Sequence, residues 1–86
     1  MEIRYIDPIY LYPKKVIKID NNNIMIIGTN NGIDYFTING KKIEPKQIVN
    51  EYYNFEFENN DKKTYARILY NKIHWDDGTI WTKYKN

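Results

Sequence analysis

The stretch Ile24–Ile43, IMIIGTNNGIDYFTINGKKI, decides how this chain is read. It alternates stiff apolar runs with two short polar breaks, Asn30-Asn31-Gly32 and Asn39-Gly40. Asn and Gly tolerate the positive φ of a tight reversal, so such breaks between β-branched runs signal hairpins. A three-residue loop with Gly32 in the left-handed region pairs Ile26 with Phe36 and Ile24 with Ile38. A two-residue loop pairs Ile27 with Phe36 instead. The Asn39-Gly40 turn then sets Phe36 opposite Ile43. Upstream, strand 16–19 and the polar loop Asp20–Asn23 pair Ile19 with Ile24 and Ile17 with Ile26. One face thereby collects Ile17, Ile19, Ile24, Ile26, Phe36, Ile38 and Ile43. The other carries Lys18, Met25, Ile27, Tyr35, Thr37 and Lys42. A slip of one residue at any turn would scramble this sorting.

Working outward, residues 1–15 contain Pro8 and Pro13, which remove backbone donors and exclude a central strand. They are expected to form an extended edge segment, tacked down by Ile9 and Leu11. Residues 16–43 form the first set of hairpins. After Pro45, residues 45–51 are either one helical turn or an irregular connection. In 52–58, Tyr53, Phe55 and Phe57 alternate with Asn54, Glu56 and Glu58, the pattern of a half-buried strand. In 63–70, Ala66, Ile68 and Tyr70 share one face. Further hairpins carry the chain to residue 84. The expectation is one all-β domain over residues 1–86: an antiparallel meander of about seven short strands closed into a partial barrel or β-roll, SH3-like in scale.

Composition narrows the chemistry. Net charge is +2, with basic and acidic residues spread evenly, so neither half is a nucleic-acid-binding arm. There is no cysteine and no serine, and His74 is the single histidine. Thiol and serine nucleophiles, triads and multi-histidine metal sites are thus excluded, and no cofactor or metal is expected. Ile, Asn, Lys and Tyr make up more than half of the chain, as an A/T-rich genome would dictate without selection for function. Neither a signal peptide nor an apolar membrane span is evident, which leads to the expectation of a cytoplasmic protein or an internal virion component.

Three groups of residues carry what functional signal there is. In IHWDDGTIWTK, residues 73–83, two tryptophans flank an acidic turn. A three-residue loop with left-handed Gly78 puts both indoles on one face, whereas a two- or four-residue loop puts them on opposite faces. Core packing competes here with an aromatic platform of Tyr65, Trp75, Trp81 and Tyr84. Asp76 and Asp77 read as ordinary turn residues. Of the pairs Lys14-Lys15, Lys41-Lys42 and Lys62-Lys63, two sit at or beside turns, where solvated lysines are expected, and Lys41, Lys42, Lys83 and Lys85 could form a basic rim for single-stranded nucleic acid. Met25, Ile27 and Tyr35 form an apolar back face suited to self-association. The sequence therefore favours a non-enzymatic interaction or structural module that binds a protein or itself, with single-stranded nucleic acid as the alternative partner.

Overall fold

The computed structural model describes residues 2–10, 12–69 and 71–84. Leu11, Tyr70 and Lys85, which entered the sequence reading, lie outside them. The strands are β1 (Glu2–Ile6), β2 (Pro13–Lys18), β3 (Asn23–Thr29), β4 (Tyr35–Ile48), β5 (Glu51–Asn59), β6 (Lys62–Leu69), β7 (Lys72–Trp75) and β8 (Ile80–Lys83). Each pairs antiparallel with its neighbour in sequence, and β8 returns to β1, so the meander is a closed barrel. Among the described residues there is no helix.

Alternation builds the interior. Tyr5, Val16, Ile24, Ile26, Phe57, Ala66, Ile73, Trp75 and Trp81 form the buried cluster. Ile3, Phe36, Ile38, Phe55 and Ile68 pack against it. Eight strands leave a bore just wide enough for side chains to fill. Two glycines inside strands make this filling possible. A Cβ on Gly28 would come within 2.7 Å of the Lys14 stem, and one on Gly40 would run into the Phe57 ring.

Several expectations need correction. Glu2–Ile6 is not an edge: it pairs with β2 through Ile3↔Val16 and with β8 through Tyr5↔Lys83. Asn39-Gly40 is not a turn. β4 runs straight through it, and Gly40 lies opposite Phe57, where the absent side chain makes room for the ring. The helical turn is replaced by the end of β4, whose register to β5 shifts between Lys42 and Lys46, around Pro45. Proline has no N–H to give the ladder, so a bulge is where it fits.

The β2–β3 register is one residue off the expected one. Val16 faces Ile26 and Lys18 faces Ile24, so Ile17 points outward and Ile19 is exposed. Lys18 and Lys42, expected on the back face, share the inner face of Ile24 and Phe55 at one end of the barrel. The Asp20 carboxylate sets this turn, accepting the Asn22 and Asn23 amides at 2.8 Å each. In the β3–β4 hairpin the faces are as expected but the stagger is longer. Gly28 pairs with Phe36 and Ile26 with Ile38. The loop is extended because Thr29 Oγ1 accepts the Gly32 amide at 2.9 Å and Asn31 Oδ1 accepts those of Ile33 and Asp34 at 2.8 Å.

Candidate functional site

The C-terminal hairpin adopts the first of the two geometries considered. Gly78 has a φ of +92°, the Trp75 amide donates to the Thr79 carbonyl at 2.9 Å, and Ile73 faces Trp81. Both indoles therefore enter the barrel. They meet edge to face at 4.9 Å between centroids, and Phe57 tilts against Trp75 at 5.1 Å. Each is 7% exposed. The aspartates hold the turn: Asp77 Oδ1 accepts the Thr79 amide at 2.8 Å, and Asp76 Oδ2 accepts the Tyr65 amide at 3.2 Å.

This packing separates the four aromatics of the sequence-based platform. Trp75 and Trp81 are interior. Tyr65 faces out beside Glu56 on β5, with the Lys46 ammonium 5.3 Å from its ring centroid. Tyr84 follows β8 and is exposed. The basic rim is dispersed too. Lys41 and Lys42 lie on β4, whereas Lys83 lies on β8, halfway around the barrel.

What the structure does bring together is a cavity of about 320 Å³ at one mouth of the barrel. Phe36, Ile38, Trp75 and Trp81 contribute its apolar wall, and Asp7, Lys14 and Asp77 its charges. The buried Trp75 Nε1 has no acceptor among the described residues.

Lys14 is a residue to which the sequence assigns no role of its own. It is fully buried. Its ammonium donates to the carbonyls of Tyr10, Tyr12 and Thr29 at 3.2, 3.0 and 3.0 Å. Three donors meet three acceptors, which ties the β1–β2 connection to the end of β3. Burial pulls the Lys14 pKa below its ordinary value, and the nearby Asp7 carboxylate pushes it back up. Asp7 is itself buried, with Oδ1 accepting the Ile9 amide at 2.8 Å. The sequence hid this because PKKVIK places a lysine on either face of β2, and only the register decides which enters.

The outer wall offers a second surface. Met25 and Ile27 are half-buried on the outside of β3, and Tyr35 is 71% exposed at the start of β4. Ile17, turned outward by the register, lies opposite Met25. A groove of about 330 Å³ runs past Tyr12, Ile17, Ile27 and Tyr35, with Glu2, Arg4 and Lys15 along it.

Among the described residues no three His, Cys, Asp or Glu side chains converge as a metal site would require. In class, the molecule is a small, closed, eight-stranded antiparallel barrel with an aromatic-walled mouth. No protein-family model, curated protein or solved structure matches this chain.

Proposed function

We propose that the protein is a non-enzymatic interaction module that associates with a second copy of itself through the outer face of β1–β4. The observation that carries this reading is the contiguity of Ile17, Met25, Ile27 and Tyr35 on a wall where alternation would ordinarily place polar groups. The groove's charges favour a second copy as occupant. It carries Glu2 together with Arg4 and Lys15, so a two-fold arrangement sets the carboxylate of each copy against cations of the other around an apolar centre. A standard interface takes about 800 Å² from each partner. That is about one-eighth of the 6160 Å² accessible surface, within reach of this wall.

Sedimentation equilibrium across a concentration series tests the proposal. The mass is expected to rise to that of two chains. Ile27→Glu and Tyr35→Lys, both at outward positions, are expected to return it to one chain while leaving the β-sheet circular-dichroism spectrum intact. A single-chain mass throughout the series, or a dimer indifferent to both substitutions, overturns it.

A further inference from the structure

At the end of the barrel opposite the tryptophan-walled mouth, a cavity of about 260 Å³ opens beside the Asp20 turn. That volume is below the range for drug-sized ligands and leaves room for a single ring. Ile3, Val16, Ile24, Phe55 and Ile68 supply its apolar wall. Tyr5 lines it too and is 2% exposed. Burial is the single cause that raises the Tyr5 pKa, with no hydrogen bond to a neighbour contributing, so the phenol stays protonated as a donor. The sealed and unpartnered side-chain atoms of the described residues are Asn54 Oδ1, Arg67 Nε and Trp75 Nε1, so the Tyr5 oxygen is unpartnered yet reachable from the cavity. Buried polar groups are ordinarily paired, and a reachable orphan hydroxyl in an apolar cavity is a place for a ligand oxygen.

Charge supplies the second, independent observation. Lys18 and Lys42 line the same cavity from inward positions on β2 and β4, on either side of Ile24. The Lys42 amide donates to the Asn22 carbonyl at 2.7 Å, which holds this part of β4 against the Asp20 turn. Neither ammonium is in an ion pair: the salt bridges among the described residues are Lys63–Glu56 and Arg67–Glu51. Asp20 is the one carboxylate in the described lining, and it is occupied by the Asn22 and Asn23 amides and the Asn23 side chain.

We infer that this end of the barrel binds a small aromatic carboxylate with a second oxygen across the ring from the acid group. The apolar wall takes the ring, Tyr5 donates to the distal oxygen, and the carboxylate stays at the rim between Lys18 and Lys42. An amine of the same shape meets two like charges there. The site lies inside one end of the barrel and the association face on its outer wall, so failure of either reading leaves the other standing.

Three probes separate the contributions. 4-Hydroxyphenylacetate carries both groups, phenylacetate lacks the ring oxygen, and tyramine reverses the charge. Each is titrated into the ¹⁵N-labelled full chain while the Ile24 and Phe55 amide resonances are followed. 4-Hydroxyphenylacetate is expected to shift them saturably, with a Kd on the order of 1 mM for so few atoms. Phenylacetate should bind about fivefold more weakly, the worth of one net hydrogen bond. Tyr5→Phe keeps the ring in the core and should erase that difference. Tyramine should bind at least about threefold more weakly than the acid, as an exposed charge contact allows. Lys18→Gln together with Lys42→Gln, both at exposed side chains, should remove the preference for the acid. No saturable shift, equal affinity for tyramine, a gain from the ring oxygen that survives Tyr5→Phe, or a charge preference untouched by the lysine replacements overturns the assignment.

Discussion

At the scale of single residues, backbone conformation and side-chain volume pull in opposite directions at two positions. Val49 and Asn50 connect β4 to β5, with Ile48 facing Glu51 across the turn. Val49 has a φ of +56°, while Asn50 is not among the residues with positive φ, the pattern of a two-residue turn that favours glycine at its first position. A β-branched residue there is strained, and the Val49 side chain, 84% exposed, recovers nothing by packing. Val49→Gly is therefore expected to raise stability by about 0.5–1 kcal/mol, since relief of strain exceeds the added unfolded-state freedom. Gly40 presents the converse case. Its φ is unexceptional, but a Cβ would meet the Phe57 ring inside the closed barrel. Gly40→Ala is expected to cost about 1–3 kcal/mol as overpacking. Urea denaturation of both variants checks the pair: a loss of stability at Val49→Gly, or indifference at Gly40→Ala, contradicts the account.

At the scale of elements, hydrophobic patterning fixed faces better than registers. The strand containing Tyr53, Phe55 and Phe57 was legible because Asn54, Glu56 and Glu58 mark its other face as polar, and the next strand because alternation groups Ala66 with Ile68 and sets Arg67 against them. The Trp75–Trp81 segment was legible as a hairpin but not in its loop length, and left-handed Gly78 with the Asp77–Thr79 bond selects the three-residue loop over the alternatives. β2 was not. Counting apolar residues favours Ile17 and Ile19 as the inner pair, yet Lys14, Val16 and Lys18 share the inner face because the Asp20 turn and the three carbonyls around Lys14 outweigh that count. For the same reason the mouth was only partly legible: its tryptophans stood out in the sequence with core and platform both open, and the burial of Asp7 and Lys14 follows from a register the sequence pattern misassigns. The Asp20 turn has a pH signature. Its carboxyl is held below its ordinary value, first by the Asn22 amide and then by the Asn23 side chain and amide, with desolvation acting in the opposite sense. A lowered folded-state pKa means that the turn's contribution is complete above the ordinary carboxylate value and disappears as pH falls through the folded value. The amide resonances of Asn22 and Asn23 are thus expected to titrate together, with a midpoint below about 3.9. Asp20→Asn should abolish that titration; a midpoint at or above the ordinary value contradicts the capping role.

At the scale of the whole molecule, closure distinguishes this barrel from the partial one that its sequence suggests. Joining β1 to β8 removes both open edges, which would otherwise be exposed to strand addition. The seam is short. Tyr5 faces Lys83 and Ile6 faces Thr82, and the Tyr84 amide adds a bond to the Arg4 carbonyl at 2.7 Å. By contrast, β3 and β4 pair continuously from Asn23↔Lys41 to Thr29↔Tyr35. Opening the seam exposes one side of two short strands near the chain ends, whereas parting β3 from β4 dismantles the core around Ile26. Local openings of smaller free energy are drawn from regions with little buried contact, so the seam should open before the barrel unfolds. Native-state hydrogen exchange at increasing sub-denaturing urea should separate the two processes. The Tyr84 amide should exchange through an opening of lower free energy and weaker urea dependence than the paired amides of β3 and β4. Trp81 belongs to β8, so the same opening should reach the mouth. If Tyr84 exchanges with the free energy and urea dependence of the β3–β4 amides, closure is part of the cooperative core, and the barrel has no weaker seam through which its mouth could open.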